Sequence, residues 1–290
     1  MKTITERRAE FRALIESGQT LLVPGAPNAL TARLVEDAGF NATYVTGAGL
    51  SNTFLGMPDI GLLTLPEIAS HVAAIASVVE TPLIVDADTG FGNAVNVWHT
   101  VRTLERAGAF AIQLEDQTFP KRCGHFEGKT VVSADEMAAK VRSAVEARTD
   151  PNLLIMARTD ARATEGLDEA IRRAKLYREA GADILFVEAP RSEDEIRAIA
   201  AEVEGPKVLN IVEGGKTPAL RLERAAELGF AIVLYANLPL VVHIHAVRQL
   251  LDFMKTNGHA EGGPARASFV DRQSVVRKDF FDDMGKRFEV

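Results

Sequence analysis

Four segments of the chain repeat one local pattern, and that repeat narrows the choice of fold more than anything else in the sequence. EDAGFNATYV, ERAGAFAIQL, REAGADILFV and AELGFAIVLY each run from the end of a helical stretch, through a glycine, into a β-branched run. Gly39, Gly108, Gly181 and Gly229 fit the left-handed position that ends a helix and turns the chain into the next strand. A recurring βα unit is the simplest cause. Short runs of the same kind occur eight times: LLVPG (21–25), ATYVTG (42–47), PLIVDAD (82–88), FAIQLED (110–116), LLIMARTD (153–160), DILFVEA (183–189), KVLNIV (207–212) and FAIVLYA (230–236). Eight units match a (β/α)8 TIM barrel, whereas a doubly wound sheet would more often stop at five or six strands. The expected organisation is an α/β barrel over residues 1–255 and a helical extension over 256–290.

Composition decides which partners are reasonable. With 290 residues and 47% hydrophobic content the chain can bury a large core. A net charge of −7 and the absence of any long Lys/Arg run argue against nucleic acid. A single cysteine makes no internal disulfide and no thiolate zinc site, which points to a reducing, cytoplasmic setting. The opening MKTITERRAEF is too charged for a secretory signal, and no run approaches the ~20 apolar residues of a membrane helix.

In a barrel of this kind the chemistry gathers where strands end. The ends of the eight runs carry Thr46, Asp86, Asp88, Glu115, Asp116, Arg158, Asp160, Glu188, Asn210 and Glu213. Each alone reads as loop solvation; their convergence on one rim reads as a site. Asp86 and Asp88 fall on one side of a strand end, with Gly90 and Gly92 freeing the backbone beyond. Crowded carboxylates repel unless a cation sits among them, and oxygen ligands without nearby His or Cys favour Mg2+ or Mn2+. Glu115 and Asp59 are placed to hold metal-bound water. The segment PKRCGHFEGK (120–129) has the glycines and charge of an active-site loop. Lys121, Arg122 and His125 would favour the thiolate of Cys123, fitting it to give or take a proton. Trp98, His243 and His245 read as packing residues.

Taken together, DADTGFGN, QLEDQ, KRCGH, ARTDA and NIVEGGKTP resemble the isocitrate lyase/phosphoenolpyruvate mutase superfamily, over roughly residues 10–255. The resemblance implies a Mg2+-dependent barrel acting on 2-oxo or 2-hydroxy acids through an enolate or carbanion. Carried onto this chain, it makes Asp86 and Asp88 the metal carboxylates, with Asp59 and Glu115 acting through water. Cys123 becomes the acid/base, and Tyr44 helps to deprotonate a substrate hydroxyl. Thr46, Gly47 and Ala48 cradle a carboxylate, and Gly124, His125, Arg158, Glu188 and Asn210 line the substrate pocket. An intact KRCGH favours a lyase over a mutase.

Within the superfamily, FEGK and NIVEGGKTP look most like 2,3-dimethylmalate lyase and the petal-death type enzymes, implying a substituted malate as substrate. Methylisocitrate lyases carry an arginine where Val241 stands here. Against the dimethylmalate pattern, the eighth strand ends in YANLP, with Asn237 and Pro239 near the pocket for the substituent. Oxaloacetate hydrolysis or decarboxylation is the runner-up, followed by methylisocitrate cleavage; a non-catalytic 2-oxo-acid-binding barrel is the remote alternative. The apolar stripe Phe269, Val276, Phe280 and Met284 needs cover that a completed helix ring would not supply. Relatives exchange their final helices between subunits, so a homotetramer is expected in which residues beyond about 265 cross to a partner.

Overall fold

The eight β-rich runs form eight parallel strands, and the computed structural model describes residues 2–122 and 128–289. They are β1 (Leu21–Ala26), β2 (Thr43–Val45), β3 (Leu83–Asp86), β4 (Ala111–Glu115), β5 (Leu154–Thr159), β6 (Ile184–Val187), β7 (Lys207–Asn210) and β8 (Ile232–Tyr235). Neighbours in sequence are neighbours in space, and β8 pairs with β1 in the register Leu21↔Ile232, closing the barrel. The helix-exit glycines behave as the repeat requires: Gly39, Gly108, Gly181 and Gly229 all sit at positive φ. Gly25 serves closure itself, because a Cβ there would lie 1.8 Å from the Ala236 carbonyl oxygen across the β1–β8 seam.

Two apolar layers divide the core. Between strands and helices lie residues such as Val45, Val85, Ile112, Leu114, Leu185 and Val233, packed on Ile68, Val101, Val141 and Ile196. Inside the barrel lie Val23, Tyr44, Ile84, Met156, Phe186, Val208 and Leu234. The amphipathic helix Ile4–Glu16 closes the N-terminal end, where Phe11 and Ile15 join the inner layer and Phe11 meets Phe110 edge-on at 6.2 Å. Arg8 fastens that helix: buried, it donates to the Ala109 carbonyl at 2.8 Å and pairs with Asp150 at 3.3 Å.

The C-terminal part departs from expectation. A helix of 20 residues, Leu238–Asn257, follows β8, yet only its Leu240 is buried. The ring of helices is therefore not completed by this helix along its length, because Val241, Val242, Val247 and Leu251 face outward. The last two helices, Phe269–Val275 and Lys278–Arg287, bury none of their residues. Phe269, Val276, Phe280 and Met284 are all exposed, and Arg277 pairs with Asp37. Trp98 is not packed against the barrel either: it is 46% exposed on the helix Ala94–Ala107, with the Arg102 guanidinium over its ring. His243 and His245 are likewise exposed. No helix among the described residues is long and apolar enough to cross a membrane.

Candidate active site

Strand alternation builds the site. Successive inward side chains climb from an apolar floor to a polar rim: Ile84 then Asp86, Met156 then Arg158, Phe186 then Glu188, Val208 then Asn210. On β4 the inward pair is Gln113 and Glu115. Tyr44, Thr46, Ala48, Asp59, Asp86, Glu115, Lys121, Arg158, Glu188 and Asn210 line one cavity at the C-terminal mouth, so most of the residues predicted from the sequence are brought together. Cys123, Gly124 and His125 lie outside the described residues. The base of their loop is fixed: the Gln117 side chain bonds the backbone of Arg122 at both ends, at 2.9 and 2.8 Å, and Thr118 N donates to Thr130 O at 2.9 Å.

The acidic end of the cavity is held by donors that leave its charge only partly balanced. Asp86 Oδ1 accepts from Gln113 Nε2 and from the Asp88 amide, both at 3.1 Å, and Oδ2 accepts from Gly47 N at 3.4 Å. Gln113 in turn accepts from the Tyr44 hydroxyl at 2.9 Å. Asp88 takes a left-handed backbone (φ 49), a conformation costly for a non-glycine residue and common at functional sites. Burial pushes the Asp88 carboxyl up to about 7, with Asp86 and Asp59 adding to the rise and Lys121 opposing it. Glu115 is pushed well above its ordinary range, first by burial and then by Asp160 and Asp86, against the pull of Arg158 and Lys121. Its Oε1 is buried without a hydrogen-bond partner.

Such a cluster fits a hard divalent cation. The donors are all oxygens, Glu115 keeps an unused acceptor, and the Lys121 ammonium already sits as a cation between Asp59 Oδ1 (2.6 Å) and Asp88 Oδ1 (2.7 Å). Among the described residues no group of three or more His, Cys, Asp or Glu side chains could hold a metal alone. The ion that suits two carboxylates, with water and ligand oxygens completing its shell, is Mg2+.

Opposite the acids stands Arg158. Its Nε lies 3.0 Å from Asp160 Oδ2, and it faces Glu115 at 3.4 Å and Glu188 at 3.6 Å, with Phe186 beneath its plane. Asn210 donates to Glu188 at 3.3 Å, and its own carbonyl oxygen is buried with no hydrogen-bond partner. Thr46 accepts from Gly49 N and donates to Asn237 Oδ1 at 2.9 Å. Asn237 makes no side-chain cap for the helix it precedes. Val212, Leu234 and Ala236 form an apolar wall beside it.

Several positions differ from the sequence reading. Lys121 is committed to Asp59 and Asp88, so Asp59 is ion-paired and the ammonium is drawn into the acid cluster instead of serving the thiol alone. The Gly47 amide points at Asp86, leaving Thr46 and Ala48 as the cradle residues that line the cavity. Burial, reinforced by Asp86, holds the Tyr44 phenol well above its usual range; it keeps its proton and acts as a donor to Gln113. Asp116 points outward into a buried network with Thr159, Tyr177 and Arg173. Glu213 is exposed, and Pro239 lies outside the cavity. Sequence reasoning missed Gln113, although its place two residues before Glu115 puts both on one face of β4. It also missed Lys129, buried against Asp160 at 2.8 Å.

The arrangement has clear relatives. The family model described as phosphoenolpyruvate phosphomutase matches residues 11–255. The chain is 45% identical to a 2,3-dimethylmalate lyase of Eubacterium barkeri, over 96% of this chain and 93% of that protein. It is 50% identical to a 2-methylisocitrate lyase of Aeropyrum pernix, over 78% of this chain and 72% of that one. Among solved structures, an oxaloacetate acetylhydrolase bound to 3,3-difluorooxalacetate superposes with a TM-score of 0.92 at 32% identity, covering 99% of each chain. A phosphonopyruvate hydrolase in complex with oxalate and Mg2+ superposes with a TM-score of 0.89 at 33% identity, again covering 99% of each. By sequence and by fold, the chain belongs to the phosphoenolpyruvate phosphomutase family of the phosphoenolpyruvate mutase/isocitrate lyase superfamily, and is an enzyme of its carbon–carbon lyase type.

Proposed function

We propose that the enzyme is a Mg2+-dependent lyase that splits a substituted malate, of the 2,3-dimethylmalate kind, into a 2-oxo acid and a carboxylic acid. The observation that carries this reading is a cavity whose lining combines buried acids and Arg158 with the apolar Val212, Leu234 and Ala236. The polar residues suit a carboxylate and hydroxyl, and the apolar ones suit alkyl groups on the adjoining carbons. Asp86 and Asp88 would hold the metal, with Glu115 and Asp59 orienting its water; Mn2+ would serve in the same place. When bound, Mg2+ supplies Lewis-acid polarisation of the substrate oxygens.

The protein's own groups divide the remaining work. Arg158 and the Thr46–Ala48 turn bind carboxylates, and the unused Asn210 carbonyl accepts from the substrate hydroxyl. Tyr44, protonated, keeps Gln113 and hence Asp86 in place. A carboxylate of the acid cluster, such as the unpartnered Oε1 of Glu115, takes the hydroxyl proton; as the hydroxyl oxygen becomes a carbonyl, the C–C bonding electrons pass to the departing fragment, and Cys123 of the KRCGH loop gives that carbon its proton. His125 and Gly124 belong to the same loop. The enzyme is read as a cytoplasmic homotetramer, with the exposed C-terminal helices covered by partner subunits.

Methylisocitrate cleavage is the second reading, favoured by the 50% identity to the Aeropyrum pernix enzyme. It demands a counter-charge for a third carboxylate, and Val241, on the exposed helix after β8, provides none. A substrate panel with Mg2+ separates the cases by product: pyruvate with propionate from 2,3-dimethylmalate, pyruvate with succinate from methylisocitrate, oxalate with acetate from oxaloacetate. Turnover of oxaloacetate alone, or full activity in EDTA, would overturn the proposal.

A further inference from the structure

Arg158 does not stand free at the rim; one edge of its guanidinium is gripped from behind. Asp160, two residues on, accepts from Arg158 Nε at 3.0 Å and from Nη2 at 3.1 Å, a bidentate pairing, while Nη1 on the other edge faces Glu115 Oε2 at 3.4 Å in the cavity lining. The carboxylate that does the gripping is itself fixed. Its backbone amide donates to Asp116 Oδ1 at 2.9 Å, and Asp116 is held by Thr159, Tyr177 and Arg173 at 2.7, 2.8 and 3.1 Å. The oxygen shared with Arg158 Nη2, Asp160 Oδ1, also accepts from Lys129 Nζ at 2.8 Å. Both side chains of that last pair are closed to solvent, at 1% exposure for Lys129 and 0% for Asp160.

A lysine is costly to bury, and this one neither lines the cavity nor reaches the metal acids. One group it does touch is the carboxylate that aims Arg158. Pinning Oδ1 keeps the Asp160 carboxylate in the plane of the guanidinium fork. It also takes up part of the carboxylate's charge, so that Arg158 is oriented by Asp160 without being neutralised by it. We propose that Lys129, acting through Asp160, is a positioning residue that holds Arg158 ready for an anionic ligand. The proposal rests on the assignment of Arg158 as a carboxylate-binding residue.

The test uses the full-length protein with saturating Mg2+, oxalate as the anionic probe, isothermal titration for affinity and thermal melting for integrity. Outer partners of this kind are worth roughly 10–100-fold in affinity or activity. Lys129→Met is expected to weaken oxalate binding about tenfold, and Lys129→Arg to restore most of it. In an Asp160→Asn background, Lys129→Met should add little, because the group it acts through is gone. A Lys129→Met protein that melts lower but binds oxalate like the parent overturns the proposal, as does Lys129→Arg behaving no better than the methionine variant. If Lys129→Met does not fold, Lys129→Gln carries the same comparison. Arg158→Lys separates the two levels: if it leaves oxalate binding unchanged, the binding assignment falls and the positioning role with it. If Arg158→Lys weakens binding while Lys129→Met does not, only the positioning role falls.

Discussion

Replacing Asp88 by Asn should abolish turnover and, in the metal-free protein, make the variant's stability relative to the parent rise with pH, on top of a pH-independent loss of the Lys121 ion pair. The native carboxyl is held at about 7, against 3.8 for an ordinary aspartate, because it is buried beside Asp86 and Asp59. A folded-state pKa above the unfolded value means that the native protein holds this proton more tightly. The associated stability is complete below pH ~4 and is lost as pH rises to about 7. One pKa unit corresponds to about 1.4 kcal/mol, so between pH 5 and 8 the parent should lose about 3 kcal/mol that Asp88→Asn, which has no proton to lose, retains. For a chain of this size that amounts to a gap in melting temperature on the order of 6–10 °C, opening between pH 5 and pH 8 in EDTA. Mg2+ at pH 8 should close most of the gap by raising the parent and leaving the variant unmoved. A difference that does not change between pH 5 and pH 8 in EDTA would refute the picture of Asp88 as a carboxylate crowded by Asp86 and Asp59.

Cys123→Ser should lower turnover by orders of magnitude while oxalate binding measured by calorimetry stays within about threefold; equal loss of both would make the thiol structural. Tyr44→Phe removes the donor to a fully buried Gln113 and should cost about 1–3 kcal/mol of stability in denaturant titration, with weaker Mg2+ binding because Gln113 no longer steadies Asp86. A neutral result would show that the Tyr44–Gln113–Asp86 chain is incidental. Deleting residues 266–290 should shift the assembly to smaller species in light scattering, and an unchanged oligomer would rule out helix exchange.

The barrel was legible because its signal is repeated: four copies of one helix exit and eight β-branched runs leave little room for another topology. The acid cluster was legible for a related reason, since Asp86, Asp88 and Glu115 fall at the ends of adjacent strands. Reading strand ends found Thr46, Arg158, Glu188 and Asn210 as well, but without their alternation it missed Gln113 and misplaced Asp116. On β4, Gln113 and Glu115 face the cavity while Asp116, one residue on, turns outward to Arg173 and Tyr177. The loop cations were read as a group, but charge alone does not say which lysine finds which acid: Lys121 went to Asp59 and Asp88, and Lys129 to Asp160. The helix after β8 misled most, because its apolar residues look the same whether they pack on their own barrel or stand clear of it.

The plug of Phe11, Ile15 and Phe110 at the barrel's N-terminal end carries a kinetic consequence. With that end sealed among the described residues, the cavity opens at the C-terminal mouth, and whatever is made inside leaves the way its precursor arrived. A cleavage yielding two products must then discharge them in sequence, the one nearer the mouth first and the deeper one last. The second to depart should compete directly with substrate, while the first should show mixed inhibition, so steady-state patterns alone would reveal which fragment sits against the floor.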